Sequence, residues 1–131
     1  IFSVAYSLRF IHDVFFNGEP IDLFNGGNLK RDFTYIEDIV DGFVRAVNTP
    51  LKYEIINLGN GSPVELQTFV RLLENELGVK AQKNMLPMQP GDVYETFADT
   101  TKAERLLNFR AQTSFAVGIK SFVRWFQERL S

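Results

Sequence analysis

Two short runs carry side chains that could handle a phosphorylated or polyhydroxylated ligand: Arg31-Asp32-Phe33-Thr34-Tyr35 and Gln89-Pro90-Gly91-Asp92. Arginine presents a planar fork of donors that matches phosphate oxygens two at a time. A local acid would suit Arg31 equally well. In the second run a rigid turn presents an amide and a carboxylate, groups suited to sugar hydroxyls and ring edges. Taken by itself, that run is also an ordinary solvated turn. A third run, Gly59-Asn60-Gly61-Ser62-Pro63-Val64, has the look of a phosphate-cradling loop between strand and helix. It fails at Val64, where G-x-G-x-x-G needs its third glycine, and no Walker lysine follows. Pro63 also removes an amide that would face a phosphate, so a tight strand-to-helix turn is the better reading. Glu37, Asp38 and Asp41 cluster where a helix begins, complementing its dipole, with Asp41 placed to pair with Arg45 at i+4. A paired-carboxylate acid–base site is the alternative there.

Other chemistries are excluded by what the chain lacks. Its 131 residues contain no cysteine, which removes disulfides, thiol nucleophiles and thiolate metal sites. The single histidine, His12, falls in a helical pattern with no G-x-S-x-G in the chain, so a serine hydrolase triad cannot be assembled. A zinc or iron cage would need to be almost all carboxylate. A net charge of −2 argues against a nucleic-acid or anionic-lipid footprint. The opening run IFSVAYSLRFIHDVFF holds Arg9 and Asp13, so it is not read as a spanning segment. It also has neither the basic start nor the cleavage site of a secretory signal, and a soluble, cytoplasmic protein is expected. Thirteen phenylalanines against one tryptophan favour dry interiors or buried interfaces.

The elements that would position these residues follow from periodicity. Val4, Leu8, Ile11 and Phe15 form one helical stripe, ended by Asn17-Gly18 and Pro20. Ile21 to Phe24 alternates like a short strand and is closed by Asn25-Gly26-Gly27-Asn28; Lys30 to Phe33 extends again. Ile36, Ile39, Val40, Phe43 and Val47 form a second amphipathic stripe, stopped at Asn48-Thr49-Pro50. Tyr53 to Leu58 reads as a strand. Ser62 to Glu65 has capping-box spacing before a helix with Leu66, Phe69, Val70, Leu73 and Leu77 on one face and Gly78 at its end. Thr101 to Glu104 repeats that spacing before a short helix. The last helix runs from about Phe115 to Leu130. Between Met85 and Asp99 lies a long, poorly periodic segment of the kind that binds ligands. The expectation is one α/β domain over residues 1–131, a small sheet with flanking helices.

Three motifs in order, RDFTYIEDIVDG, INLGNGSPVEL and PMQPGDVYETFADTTKAERLLNF, resemble the C-terminal part of the extended short-chain dehydrogenase/reductase nucleotide-sugar epimerases. The M-Q-P-G-D-V run is most similar to UDP-glucuronate 4-epimerases. The resemblance covers about Asn17 to Trp125. It implies the substrate-binding lobe of the NAD-dependent epimerase/dehydratase family without its Rossmann domain. In such enzymes the Rossmann lobe holds NAD and the catalytic Thr/Ser, Tyr and Lys. By the resemblance, the strand at Asp22 to Phe24 offers backbone groups to the uracil edge, Arg31 binds the diphosphate and Asp92 holds the ribose hydroxyls. Gln89 stands where many relatives carry an arginine, which weakens phosphate attraction there.

This sequence departs from the family pattern in its missing glycine fingerprint and Tyr-x-x-x-Lys pair. Ser3-Val4-Ala5-Tyr6 also stands roughly where relatives carry G-R-P-D-M. The implied partner is a UDP-sugar, with no catalytic residue, metal or cofactor in this chain and NAD confined to the full-length family. An NAD-dependent 4-epimerase fragment, inactive alone, is expected. A free-standing truncated nucleotide-sugar binding or interaction module is the alternative. Apolar faces left open would be covered by a Rossmann-lobe partner or by self-association.

Overall fold

The computed structural model describes residues 12–130, so most of the first expected helix, and Ser3 to Tyr6 with it, lie outside the described residues. The described part divides into two units, residues 12–29, 65–92 and 119–130 in the first and residues 30–64 and 93–118 in the second.

In the first unit a π-turn at His12–Phe16 ends before Asn17-Gly18, as the sequence indicates. Strand β1, Ile21–Phe24, pairs in parallel with the later strand Lys83–Leu86, so that Ile21 faces Lys83 and Phe24 faces Leu86. Alternation works as expected: Ile21 and Leu23 are buried while Asp22 between them is exposed. The helix Leu66–Leu77 buries Val70 and Leu73, and Gly78 ends it in the left-handed conformation, its amide donating to the Glu74 carbonyl at 2.9 Å. Part of the phenylalanine excess is used here, where the Phe126 ring lies 5.9 Å from Phe16 and 6.5 Å from Phe122.

In the second unit Ala103, Leu107 and Phe109 form a buried cluster, with Ala46, Leu51, Ile56, Leu58, Leu106 and Ala111 packed against it. Its elements are strand β2 (Lys30–Arg31), helix α1 (Ile36–Asn48) and a helix at Thr101–Leu107. Counting along the chain, Leu66–Leu77 is α2, Thr101–Leu107 is α3 and Phe115–Leu130 is α4, while Val64–Glu65 is β3 and Lys83–Leu86 is β4. The Asp41–Arg45 pair forms at 2.8 Å as the i,i+4 spacing implies. Asp38 does something else. It is buried, and its two oxygens accept the amides of Gln112 and Thr113, each at 3.0 Å, fixing the approach to α4. Asp38 thus serves the backbone before α4, and Asp41 pairs with Arg45 on the surface of α1.

Two local expectations are corrected. Neither capping box forms: α2 begins at Leu66, because Val64 and Glu65 are extended, and its cap residue Glu65 makes no side-chain cap bond. At α3 the Thr101 amide is taken by the Asp99 carboxylate at 3.0 Å, so the capping side chain lies outside the expected box. The Thr101 hydroxyl and amide hold the Asp99 carboxyl below its ordinary range. Tyr53 to Leu58 is not in a ladder. The amphipathic stripe of α1 leaves Ile36, Val40, Phe43 and Val47 exposed, an open apolar face of the kind the sequence implies.

Glu74 is the buried acid of the first unit. Its side chain is 3% exposed and meets Lys83 Nζ at 2.6 Å, Lys80 Nζ at 3.2 Å and the Ala81 amide at 3.1 Å. Burial works to raise its carboxyl, but the bonds from Lys83, Ala81 and Lys80 together outweigh that and hold it below its ordinary value. A depressed carboxyl stabilises the fold fully above its unfolded value and loses that contribution as pH falls through the folded one. Urea melts should therefore show stability falling through the acidic carboxylate range in the native protein, and a shallower fall in Glu74→Gln. At neutral pH, Glu74→Ala should cost about 1.5–3 kcal/mol, the range for losing a hydrogen bond to a charged group.

Candidate functional site

Parallel pairing brings the carboxyl ends of β1 and β4 to the same end of the sheet, and open α/β sheets bind ligands outside that end. Four of the five expected site residues lie in the first unit, on these strands or the loops that leave them. Asp22 is on β1 itself, exposed, its carboxylate accepting the Asn84 amide at 3.0 Å from the neighbouring strand. Phe24 ends β1 and is half-buried. The loop after it turns through Asn25, Gly26 and Gly27, all with positive φ, and closes with the Asn28 amide on the Asn25 carbonyl at 3.1 Å. From α2, the Gln67 side-chain amide donates to the Gly26 carbonyl at 2.5 Å and holds this loop in place.

Gln89 and Asp92 flank the turn that follows β4. The Asp92 amide donates to the Gln89 carbonyl at 3.2 Å, with Gly91 at φ +83°. Pro at the second position and a positive-φ Gly at the third is the pattern of a type II turn. The turn read from the sequence therefore forms, with Gln89 and Asp92 at its two ends.

Arg31 belongs to the second unit. One guanidinium nitrogen, Nη1, donates to the carbonyls of Lys30 at 2.8 Å and Val93 at 2.9 Å. Its charge is thus fastened to backbone by at least these two bonds. Beside it, Asp32 is the residue the sequence reading passed over. Its Oδ2 accepts the amides of Gly61 and Ala98, each at 3.0 Å, and its Oδ1 accepts that of Ser62 at 3.4 Å. Its own amide donates to Thr96 Oγ1 at 3.1 Å, and Thr34 Oγ1 accepts the Asn60 amide at 3.0 Å. A signal was available: the partners of Asp32 lie in the second and third of the three ordered motifs, and Asp32 lies in the first. These contacts border an open groove of about 500 Å³ lined by Asp32, Thr34, Asn57, Gly59, Thr96 and Phe97 among others.

The same geometry decides the glycine loop. A dinucleotide phosphate would need the amides at 59–64, but those of Gly61 and Ser62 already hold the Asp32 carboxylate. Gly59 is glycine because of a close approach, since a methyl group there would sit 2.5 Å from Ala98 Cβ. The loop is a turn whose amides at Gly61 and Ser62 are engaged by the Asp32 carboxylate. Among the described residues no group of three His, Cys, Asp or Glu is placed to hold a metal, and no helix is long and apolar enough to cross a membrane.

Residues 9–122 match the family profile described as GDP-mannose 4,6 dehydratase. The chain belongs to the NAD-dependent epimerase/dehydratase family. Among its family relatives, an uncharacterized protein of Methanocaldococcus jannaschii is 49% identical over 85% of this chain and 34% of its own length. The UDP-glucuronate 4-epimerase of Thermodesulfobacterium geofontis is 40% identical over 93% of this chain and 38% of its own. Among solved structures, MoeE5 in complex with UDP-glucose and NAD superposes with a TM-score of 0.84 at 27% identity, over 94% of this chain and 41% of that one. The UDP-glucuronic acid 4-epimerase of Bacillus cereus in complex with NAD gives 0.76 at 30% identity, over 92% and 37%. The chain thus spans between 34% and 41% of the length of these family members.

Removing the Asp32 carboxylate would strand three amides at once. Asp32→Ala should lower stability by about 1.5–3 kcal/mol, the range for hydrogen bonds to a charged group. Hydrogen exchange should show the Gly61, Ser62 and Ala98 amides accelerating together. If only one of them responds, the shared anchor is refuted.

Proposed function

We propose that this chain is the substrate-binding part of an NAD-dependent 4-epimerase that acts on a UDP-hexuronate. In this reading it positions the nucleotide and supplies none of the bond-making chemistry. The observation that carries the reading is the turn at Gln89 to Asp92. It stands with Phe24 at the shared carboxyl end of two parallel strands, in a fold whose solved relatives were captured with UDP-sugars and NAD. The backbone of β1 from Asp22 to Phe24 would meet the uracil edge; among the described residues its sheet has only two strands, with β4 on one side. Asp92 would accept from the ribose hydroxyls and Gln89 would offer its amide. Arg31 would face the diphosphate. Its two backbone bonds fix the guanidinium before any ligand arrives, and this lowers the entropy lost on binding.

NAD, when bound to the larger protein, supplies hydride removal and return at the sugar C4. The residues for that chemistry are absent from this sequence, since no tyrosine is followed four positions later by lysine. The role left for this part is to hold the nucleotide so that the hexose is offered in one place; such positioning can lower a barrier by several kcal/mol. The dinucleotide itself would be held by the portion of the family fold outside this chain.

Calorimetry with UDP tests the reading directly. Weak binding is expected from the chain alone, and Arg31→Ala should weaken it by about 1–3 kcal/mol, as for loss of a charge-assisted hydrogen bond. Asp92→Ala should weaken it too, and this variant guards against an effect of Arg31 on the backbone it fastens. No UDP heat at millimolar protein would sink the proposal. Turnover of NAD by the purified chain would sink the view that it is catalytically incomplete.

A further inference from the structure

Three asparagine–glycine pairs stand in the sequence, Asn17-Gly18, Asn25-Gly26 and Asn60-Gly61. Such a pair can react with itself. The glycine backbone nitrogen attacks the asparagine side-chain carbon Cγ, and the new C–N bond closes a succinimide ring. The side-chain nitrogen leaves as ammonia, taking up the proton that the glycine amide gives up. Water then opens the ring at either carbonyl and leaves aspartate or isoaspartate. Glycine is the neighbour that permits this, because without a Cβ it does not obstruct the approach. Two conditions remain: the glycine nitrogen must be able to lose its proton, and the reacting atoms must reach attack geometry.

The chain treats its three pairs differently. At Asn60-Gly61 the nucleophile itself is engaged. The Gly61 amide donates to Asp32 Oδ2 at 3.0 Å, and the Asn60 amide donates to Thr34 Oγ1 at 3.0 Å. An anion held against an N–H disfavours its deprotonation, and the paired backbone must open before the nitrogen can turn to the side chain. At Asn25-Gly26 the turn is held through its two carbonyls. The Asn25 carbonyl accepts the Asn28 amide at 3.1 Å, the Gly26 carbonyl accepts Gln67 Nε2 at 2.5 Å, and both residues are half-buried. At Asn17-Gly18 both residues are exposed, and a Cβ added to Gly18 would meet nothing within 4 Å. Among the described residues no hydrogen bond engages the Gly18 amide. The Asn17 side chain does have a partner, its Nδ2 donating to Asp13 Oδ1, but at 3.4 Å on the surface this is a long bond that opens at small cost.

We propose that Asn17-Gly18 is a site of spontaneous succinimide formation and that the Asp32 carboxylate shields Asn60-Gly61 from the same reaction. The product at position 17 disturbs its surroundings. In the unmodified chain Asn17 donates to the Asp13 carboxylate. Conversion replaces that donor by a second carboxylate, and the isoaspartate form adds a carbon to the backbone. The Asp13 carbonyl accepts the Glu19 amide at 3.0 Å, so the repulsion falls on the segment that joins the π-turn to β1. Asp32, besides anchoring backbone, keeps a reactive pair intact.

Peptide mapping by mass spectrometry tests this on the intact chain, aged at mildly alkaline pH and sampled over time. Electron-based fragmentation tells isoaspartate from aspartate. Asn17 should convert first and Asn60 about 10- to 100-fold more slowly, the factor that a hydrogen bond to a charged group corresponds to. In denaturing urea, where these bonds are gone, the three sites should converge. Gly18→Ala should suppress conversion at position 17 alone. In the aged protein the Glu19 amide should exchange faster than in fresh protein. Asp32→Ala should bring conversion at Asn60 toward the rate at Asn17; should that variant unfold, the native and urea rates at Asn60 carry the same comparison. Equal rates at Asn17 and Asn60 in the folded chain, or conversion at Asn60 ahead of Asn17, would overturn the proposal. So would a folded Asp32→Ala chain in which Asn60 stays slow, or an Asn17 that survives natively while the urea sample converts.

Discussion

The Asp32 carboxylate accepts amides from Gly61, Ser62 and Ala98, which lie 29, 30 and 66 residues from it in the sequence and belong to two other loops. A single anion therefore fixes where three irregular stretches meet. Irregular backbone has no ladder to satisfy its donors, so it must find acceptors elsewhere. Here the acceptor is a side chain placed directly after Arg31, whose own bonds go to the carbonyls of Lys30 and Val93. Adjacent residues of opposite charge thus take complementary parts: the cation collects carbonyls, the anion collects amides. Arg31 and the loop before α3 owe their positions to this division.

Glu74 does the corresponding work in the first unit by different means. Its partners include two lysines and it sits deep enough to feel desolvation, which the bonds must overcome. One of those lysines, Lys80, is 78% exposed, so its share is small beside that of Lys83 at 31%. The result ties the end of α2 to the start of β4 and so sets the height at which β4 meets β1. From that follows the placement of the turn at Gln89 to Asp92.

Helix extents were legible in the sequence wherever periodicity was strong and stops were chemical. Ile36–Asn48 ends at Thr49-Pro50, Leu66–Leu77 ends at a left-handed Gly78, and Phe115–Leu130 runs as its apolar spacing implies. The β1 strand and the Pro-Gly turn were legible for the same reason, since alternation and turn chemistry are local. What was not legible depended on partners. Capping-box spacing at Ser62 gave way to an extended Val64–Glu65, and at α3 the Thr101 amide went to the Asp99 carboxylate. The stripe on α1 was visible, but periodicity tells that a helix has an apolar side and not what covers it. The structural role of Asp32 was hidden because its three bonds are long-range. A reading of neighbours along the chain pairs an aspartate with the arginine beside it, whereas this one serves amides brought from afar.

The parallel pairing of β1 with β4 also has a consequence for how the chain reaches its structure. Ile21 meets Lys83 and Phe24 meets Leu86, so the whole of β2, α1, β3 and α2 lies between the two partners. Closing a loop of that length costs entropy before any ladder bond offsets it, and pairings of high sequence separation form late. The two units are interleaved as well, the second being inserted into the first in two pieces. During synthesis β1 must therefore wait, with one buried-type face of Ile21 and Leu23 uncovered, until β4 has emerged. The carboxyl end of the sheet, where the nucleotide is proposed to sit, is then among the last places to take shape.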